Sequence, residues 1–326
     1  MLMSTPMIRR TAAAGLAASL FAAAPAIAQS TADRDRCLNP DGAATADAVI
    51  AACTALADAY GRGEISLPDA AATFIGRGNV YAALGQRNLA VADWDRAIAV
   101  YDRAIGPAST DPNLYLGRGN VSFLKRDYDS AIADYDRTIA LDPKRVDAHL
   151  GHGRSYYQKK DFGRAVASYD RAIALAPDHL EALAERGDVH EQNGQYARAI
   201  EDYSRLIALQ PANSKAWNNR CWDRALTGQL EPALADCNEA LRLAPDDLDA
   251  IDSRGFTHLT LGQFEKAIQD YDTVLAQIPG QAGSLYGRGI ARLRGGDAAG
   301  GRADIAAAKA IEPGIADVYA QYGVPE

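Results

Sequence analysis

The chain has 326 residues, 48% hydrophobic but only 7% aromatic, with 28 glycines and 14 prolines. Apolar character that rests on alanine and aliphatics suits close helix-on-helix packing, and it argues against a β-sandwich, a barrel or a disordered chain. Thirty-four Lys and Arg against 42 Asp and Glu give a net charge of −8, a diffuse acidity that opposes non-specific binding to nucleic acid or to anionic lipid.

Residues 1–28 read as a secretory signal peptide. Arg9 and Arg10 supply the positive region, Thr11 to Ala24 the apolar run, and Ala26-Ile27-Ala28 the small-x-small cleavage site. That run is too short to span a bilayer, and no later stretch approaches 18 apolar residues. The first cysteine is Cys37, well past the cleavage site, so no lipobox is present. The expectation is an exported, periplasmic protein without a membrane span. Residues 29–70 then form an N-terminal capping segment: an irregular Asn39-Pro40-Asp41-Gly42 lead-in and a helix near Asp47 to Tyr60.

From residue 71 one pattern recurs. Prolines stand at 143, 177, 211, 245, 279 and 313, each 34 residues after the last. Seven residues into each unit comes Arg-Gly or a relative: Arg118-Gly119, His152-Gly153, Arg186-Gly187, Arg220-Cys221, Arg254-Gly255 and Arg288-Gly289. Twelve residues past that glycine is an alanine (Ala131, Ala165, Ala199, Ala233, Ala267), and four later usually a tyrosine (Tyr135, Tyr169, Tyr203, Tyr271). Within one unit His149, Gly153 and Tyr156 fall at helical spacing, as do Ala165, Tyr169 and Ala172 of the next segment. The proline stops the second helix from running on.

This arrangement resembles the tetratricopeptide repeat, in seven units: 71–111, 112–145, 146–179, 180–213, 214–247, 248–281 and 282–313. A tail or short capping helix follows over 314–326. Position 11 departs from the family's tyrosine at Ser122, His190 and Arg224, and Trp at position 4 occurs only as Trp217. The resemblance implies an all-α solenoid of stacked antiparallel helix hairpins, coiled right-handed, with the first helix of each hairpin lining a concave groove. It also implies protein or peptide partners, no catalysis and no cofactor. One hairpin cannot bury its own apolar face, so stability is a sum over neighbours.

The first unit is seven residues too long, and Asp95-Arg96-Ala97-Ile98 is echoed by Asp102-Arg103-Ala104-Ile105. Such an insertion is either tolerated or a projecting partner contact. The seventh unit holds seven glycines between Gly283 and Gly301, so that end is expected to fray first, since helix-interior Gly costs up to about 1 kcal/mol relative to Ala.

Cys37 and Cys53, and Cys221 and Cys237, are each 16 residues apart. Only in the fifth unit is position 8 not glycine, and only there is position 24 not large; both are cysteine. That joint departure points to a disulfide replacing the glycine–aromatic contact, over two buried thiols or a metal or redox pair. A disulfide is likewise expected for Cys37–Cys53.

Gly76-Arg77-Gly78, Gly117-Arg118-Gly119, Gly151-His152-Gly153 and Gly287-Arg288-Gly289 lack the spacing of phosphate loops and fall inside helices. The recurrent Arg at position 7 and Asp at position 23 (Asp93, Asp134, Asp202, Asp236, Asp270, Asp304) read as a ladder of structural ion pairs, within or between units. His149 and His152 share a face without further ligands nearby, so no metal is expected. No catalytic residue is assigned, for no hydrolase motif is present.

Function is expected where units differ. On the first helices, the family's groove positions carry Glu181, Glu185, Asp188 and Glu191 in the fourth unit, acids on one face that repel one another. The fifth unit offers Lys215, Asn218, Asn219 and Trp222, and the sixth Asp249, Asp252, Phe256 and Leu259. Glu181, Glu185, Asp188, Glu191, Asn218, Trp222, Asp252 and Phe256 are the candidate partner groove, suited to a segment bearing basic and apolar residues. The family's carboxylate clamp is missing: Ile75 and Leu116 take its lysine position, and Asn219 follows Lys215 where a basic residue would be needed.

Overall fold

The phased prolines act on the residue ahead of them. In a computed structural model, which describes residues 31–38, 44–107 and 109–326, the residue before each of the six leaves the α region, as Ala176 does at φ −136° and ψ 86°. The proline ring crowds its predecessor out of the helical conformation, and each second helix stops there. Residues 1–28, expected to form a signal peptide, and the Asn39–Gly42 lead-in lie outside the described residues.

Seventeen helices, and no strand, are found among the described residues. The chain divides into two compact units, Met1–Gly151 and His152–Glu326. The first contains α1 (31–38), α2 (Ala46–Gly61), α3 (Leu67–Ala83), α4 (Arg87–Ile105), α5 (Pro112–Lys125), α6 (Tyr128–Leu141) and the start of α7 (Val146–Gln158). The second holds the end of α7, then α8 (Phe162–Leu175), α9 (Leu180–Gln192), α10 (Tyr196–Leu209), α11 (Ser214–Leu226) and α12 (Leu230–Leu243). It continues with α13 (Leu248–Thr260), α14 (Phe264–Gln277), α15 (Ala282–Arg294), α16 (Ala298–Ile311) and α17 (Ile315–Gln321).

Within each unit consecutive helices pair as hairpins, α3 with α4 and α5 with α6 in the first, and α9 with α10 through α15 with α16 in the second. The turn of each hairpin carries one residue at positive φ: Gly85, Arg126, Lys160, Gly194, Gly228, Gly262 and Gly296. Beyond the turn an aspartate often caps the next helix, as Asp161 does by accepting from the Arg164 N–H at 3.1 Å.

The recurrent tyrosine packs where a Cβ would not fit. A Cβ at Gly119 would meet the Tyr135 ring at 3.1 Å, and one at Gly287 would meet Tyr271 at 2.5 Å. One ring thus serves its own hairpin and the next. Beside it runs the ion-pair ladder, which is both within and between hairpins. Arg220 donates from Nε and Nη2 to Asp236 at 2.8 and 2.7 Å, and from Nη1 to Ser204 of the preceding hairpin at 3.0 Å. Arg118, Arg186, Arg254 and Arg288 repeat the geometry, each between residues 16 behind and 16 ahead. In the third repeat both partners change, and His152 Nδ1 meets Ser168 Oγ at 2.9 Å.

Both cysteine pairs are disulfides: Cys37–Cys53 with Cα atoms 5.0 Å apart, and Cys221–Cys237 at 5.3 Å. The first joins α1 to α2 and lies against Gly76 of α3, the place an aromatic ring occupies in later hairpins. Residues 31–61 therefore carry two helices where the sequence indicated one.

The long first repeat spends its extra residues in two places. Helix α4 has 19 residues against 14 in α6, and the connection to α5 is longer than its counterparts. Leu67, Val100, Tyr101 and Leu114 line a cleft of about 360 Å³ beside the added turns. At the other end the glycines are contact points: Gly289 abuts Ile305, and Gly301 abuts Leu293. Helix α17 then covers α15 and α16, and Ile315, Tyr319 and, just past the helix, Val324 are buried in the core.

Candidate partner-binding face

In the second unit the first helices of successive hairpins touch one another, α11 on α13 and α13 on α15, so their side chains form a continuous wall. The fourth repeat contributes its acids from α9. Two of them are not an unopposed stripe. Arg154 of α7 reaches across, its Nε donating to Glu185 at 2.8 and 3.0 Å and its Nη2 pairing with Glu181. Burial pushes the Glu185 carboxyl up despite that guanidinium.

Asp188 and Glu191, one turn further, pair with no cation among the described residues. Their partner is the Tyr203 hydroxyl of α10, which donates to Asp188 at 2.7 Å and lies 3.3 Å from Glu191. Asn219 of α11 adds a long contact to Asp188 at 3.5 Å. Asp188 is exposed on its outer side, yet protein crowds its inner side and raises its carboxyl above the usual range. Burial, with the Asp188 charge, lifts Glu191 to about 6.

Behind them stands Asp223 of α11. It is 0% exposed, and among the described residues neither carboxylate oxygen has a hydrogen-bond partner. Burial, then Glu191 and Asp188, drive its carboxyl up to about 8. In the second, third, fourth, sixth and seventh repeats the corresponding residues, Val121, Ser155, Val189, Thr257 and Ala291, are small and buried, and in the first Val80 is half-buried. A carboxylate at this core position is the departure in the sequence that would have revealed it, had position 10 been compared across the repeats.

Further along the wall the expected groove is partly filled. Phe256 is not a groove residue: it is 1% exposed, sealed under the tail. Its ring lies 6.0 Å from Tyr319 and 5.9 Å from Tyr322, and Trp222 stacks edge-on to Tyr322 at 5.4 Å. The reason is that α17 and the residue capping it, invisible in the repeat pattern, bring Tyr319 and Tyr322 onto the aromatic side chains of α11 and α13. Trp222 is left half-buried. Asp252 is half-buried as well, accepts from the Ser284 hydroxyl of α15 and is raised by burial to about 6. Asn218 is half-buried with its Oδ1 unpartnered. The structure thus gathers Asp188 and Glu191 with the unforeseen Asp223, and separates Glu181 and Glu185 from them by pairing both with Arg154.

Among the described residues no group of three or more His, Cys, Asp or Glu is arranged to hold a metal ion, and no helix is long and apolar enough to cross a membrane. Phased hairpins with a side-chain wall define a helical-repeat interaction protein. Residues 75–146, 116–179, 150–214, 184–247 and 255–314 each match the tetratricopeptide repeat, and the chain belongs to that family. No curated protein sequence matches it.

Solved structures agree in fold. YrrB, described as a tetratricopeptide repeat protein with an unusual peptide-binding site, is 22% identical with a TM-score of 0.52, over 57% of this chain and 95% of YrrB. PilW, described as a type IV pilus biogenesis factor, is 21% identical with a TM-score of 0.54, over 63% of this chain and 96% of its own. A tetratricopeptide repeat protein from Parabacteroides merdae is 16% identical with a TM-score of 0.57, over 78% and 99%.

Proposed function

We propose that the protein is a non-catalytic scaffold of the bacterial cell envelope, holding protein or peptide segments against the wall formed by its first helices. The observation that carries this reading is the wall itself. Stacked helices hold Asp188, Glu191, Asn219 and Trp222 in fixed positions, so a partner meets preorganised groups and little ordering entropy is lost. Acid beside half-buried aromatic surface suits a basic and apolar segment. Two disulfides accord with an oxidising compartment, and the signal-like residues 1–28 with export to it.

The narrower reading is an assembly factor for envelope machinery, favoured by the likeness in fold to the pilus biogenesis factor PilW. It adds the expectation of copurification with membrane components.

A photo-crosslinking residue at position 219, followed by mass spectrometry, tests the wall. Partners captured there should disappear when Asp188→Lys is combined with Trp222→Ala. Partners retained by that variant would place binding elsewhere on the molecule.

A further inference from the structure

Asp188, Glu191 and Asp223 come from two adjacent hairpins, and the Tyr203 hydroxyl, which donates to Asp188 and lies near Glu191, does not reach Asp223. The groups within electrostatic reach of them are acidic or neutral. α7 supplies Tyr157, α9 two of the acids, α10 Tyr196 and Tyr203, α11 Asp223 and Asn219, and the residue just after α17, Tyr322, lies within electrostatic reach of Glu191. Among the described residues no lysine or arginine pairs with any of the three. Arg154, the arginine on that stripe, is committed to Glu181 and Glu185, and Arg224, next to Asp223 in the sequence, to Asp236.

A buried carboxylate with both oxygens unsatisfied is costly, and natural structures rarely keep one without a partner. The ladder nearby makes the contrast plain: each of its aspartates is equally buried, yet each receives two N–H donors from an arginine. Asp223 has the burial and lacks the arginine.

We infer that this acidic socket receives one basic side chain, the guanidinium or ammonium of an arginine or lysine in a bound protein segment, so that the partner supplies the cation the chain withholds. The assignment rests on the wall being the binding face. The cation lies over Asp188 and Glu191, with Asp223 behind them, while Trp222 and Tyr322 form an aromatic rim on which its stem or face can rest. Bidentate geometry favours arginine over lysine. Burial, with the neighbouring acids, holds the Asp223 carboxyl up to about 8 in the empty socket, so occupation at neutral pH displaces its proton.

The test uses the full mature chain and three probes: N-acetyl-arginine-methylamide, its neutral citrulline counterpart and free arginine. Binding is followed by calorimetry in two buffers of different ionisation enthalpy, and the Asp223 and Glu191 carboxyl carbons are titrated by NMR. The blocked arginine should bind with net proton release at pH 7 and move the Asp223 titration to lower pH; the citrulline probe should do neither. Asp223→Asn, nearly isosteric, should weaken the arginine probe at least tenfold and abolish the proton release. Glu191→Gln, at the rim, should weaken it with the fold intact by circular dichroism.

Equal responses to arginine and citrulline, or unchanged affinity in Asp223→Asn, would overturn the socket. So would tighter binding of free arginine than of the blocked probe, which would make it a small-molecule receptor. If the partners crosslinked at position 219 persist unchanged in Asp223→Asn, the wall stands and the socket alone falls.

Discussion

Trp94 and Tyr101 lie seven residues apart on α4 and divide a task that a single tyrosine performs elsewhere. Trp94 fills the space over Gly78 of its own hairpin and Tyr101 the space over Gly117 of the next, whereas Tyr135 abuts both Gly119 and Gly151. The acids are spread over the two copies as well: Asp93 takes the Arg77 fork and Asp102 the third donor of Arg118, whereas the corresponding Asp270 and Asp272 stand only two residues apart. Seven residues are about two helical turns, so both copies keep one buried face.

It follows that Tyr101→Ala should cost about 3 kcal/mol. Gly117→Ala, whose methyl would sit 2.5 Å from the Tyr101 ring, should destabilise the parent yet be tolerated in the Tyr101→Ala background. Urea unfolding of the four proteins measures the coupling, and strictly additive effects would show that the two residues do not share a contact.

The Cys221–Cys237 bond substitutes for the glycine–tyrosine contact of neighbouring hairpins. Reducing it should cost about 3 kcal/mol in the chain-entropy model for a loop of this length. Replacing both cysteines to restore the pattern, Cys221→Gly with Cys237→Tyr, should recover most of that loss and make the melting temperature insensitive to reductant. Cys237→Ala alone should recover none of it. A paired Gly–Tyr variant no more stable than Cys237→Ala would mean that the two contacts are not equivalent.

The hairpin order was legible because proline acts locally on its predecessor and glycine acts wherever a ring approaches; both leave marks at a fixed period. The ladder was legible as a recurrence, but its geometry was not. Each arginine has three donor positions to share, and only the packing of adjacent hairpins decides that two go forward and one back. Phe256 misled for a related reason. Its position in the repeat points to the wall, and what covers it, Tyr319 and Tyr322, lies beyond the last repeat where no period applies. Asp223 was missed because position 10 carries no family signature, and a lone acid among 42 acidic residues draws no notice until its burial is known.

Lys160 closes the α7–α8 turn at φ 59°, where five other turns use glycine. A side chain in that left-handed region costs about 1–2 kcal/mol, offset in part by the greater unfolded-state freedom of glycine. Lys160→Gly should therefore stabilise the protein by about 0.5 kcal/mol. Arg126→Gly, at φ 68°, should behave alike. A fall in melting temperature for both would mean that these side chains make contacts worth more than the backbone strain.

The unpaired acids give the folded chain a pH dependence of unusual sign. An aspartate in the unfolded chain loses its proton near pH 4, whereas Asp223 folded holds it to about 8 and Glu191 to about 6. Between those limits the native state binds more protons than the unfolded one, so this cluster's contribution to stability falls as pH rises. It is fully present below about pH 4 and gone above about pH 8, the reverse of the usual salt-bridged carboxylate. Asp223→Asn, which has no proton to lose, should flatten most of that slope, matching the parent near pH 5 and exceeding it at pH 8. Urea midpoints collected from pH 5 to 9 in the absence of any basic ligand measure the difference. Parallel curves for the two proteins would mean that Asp223 is ionised in the native state and finds a partner that the fold does not reveal.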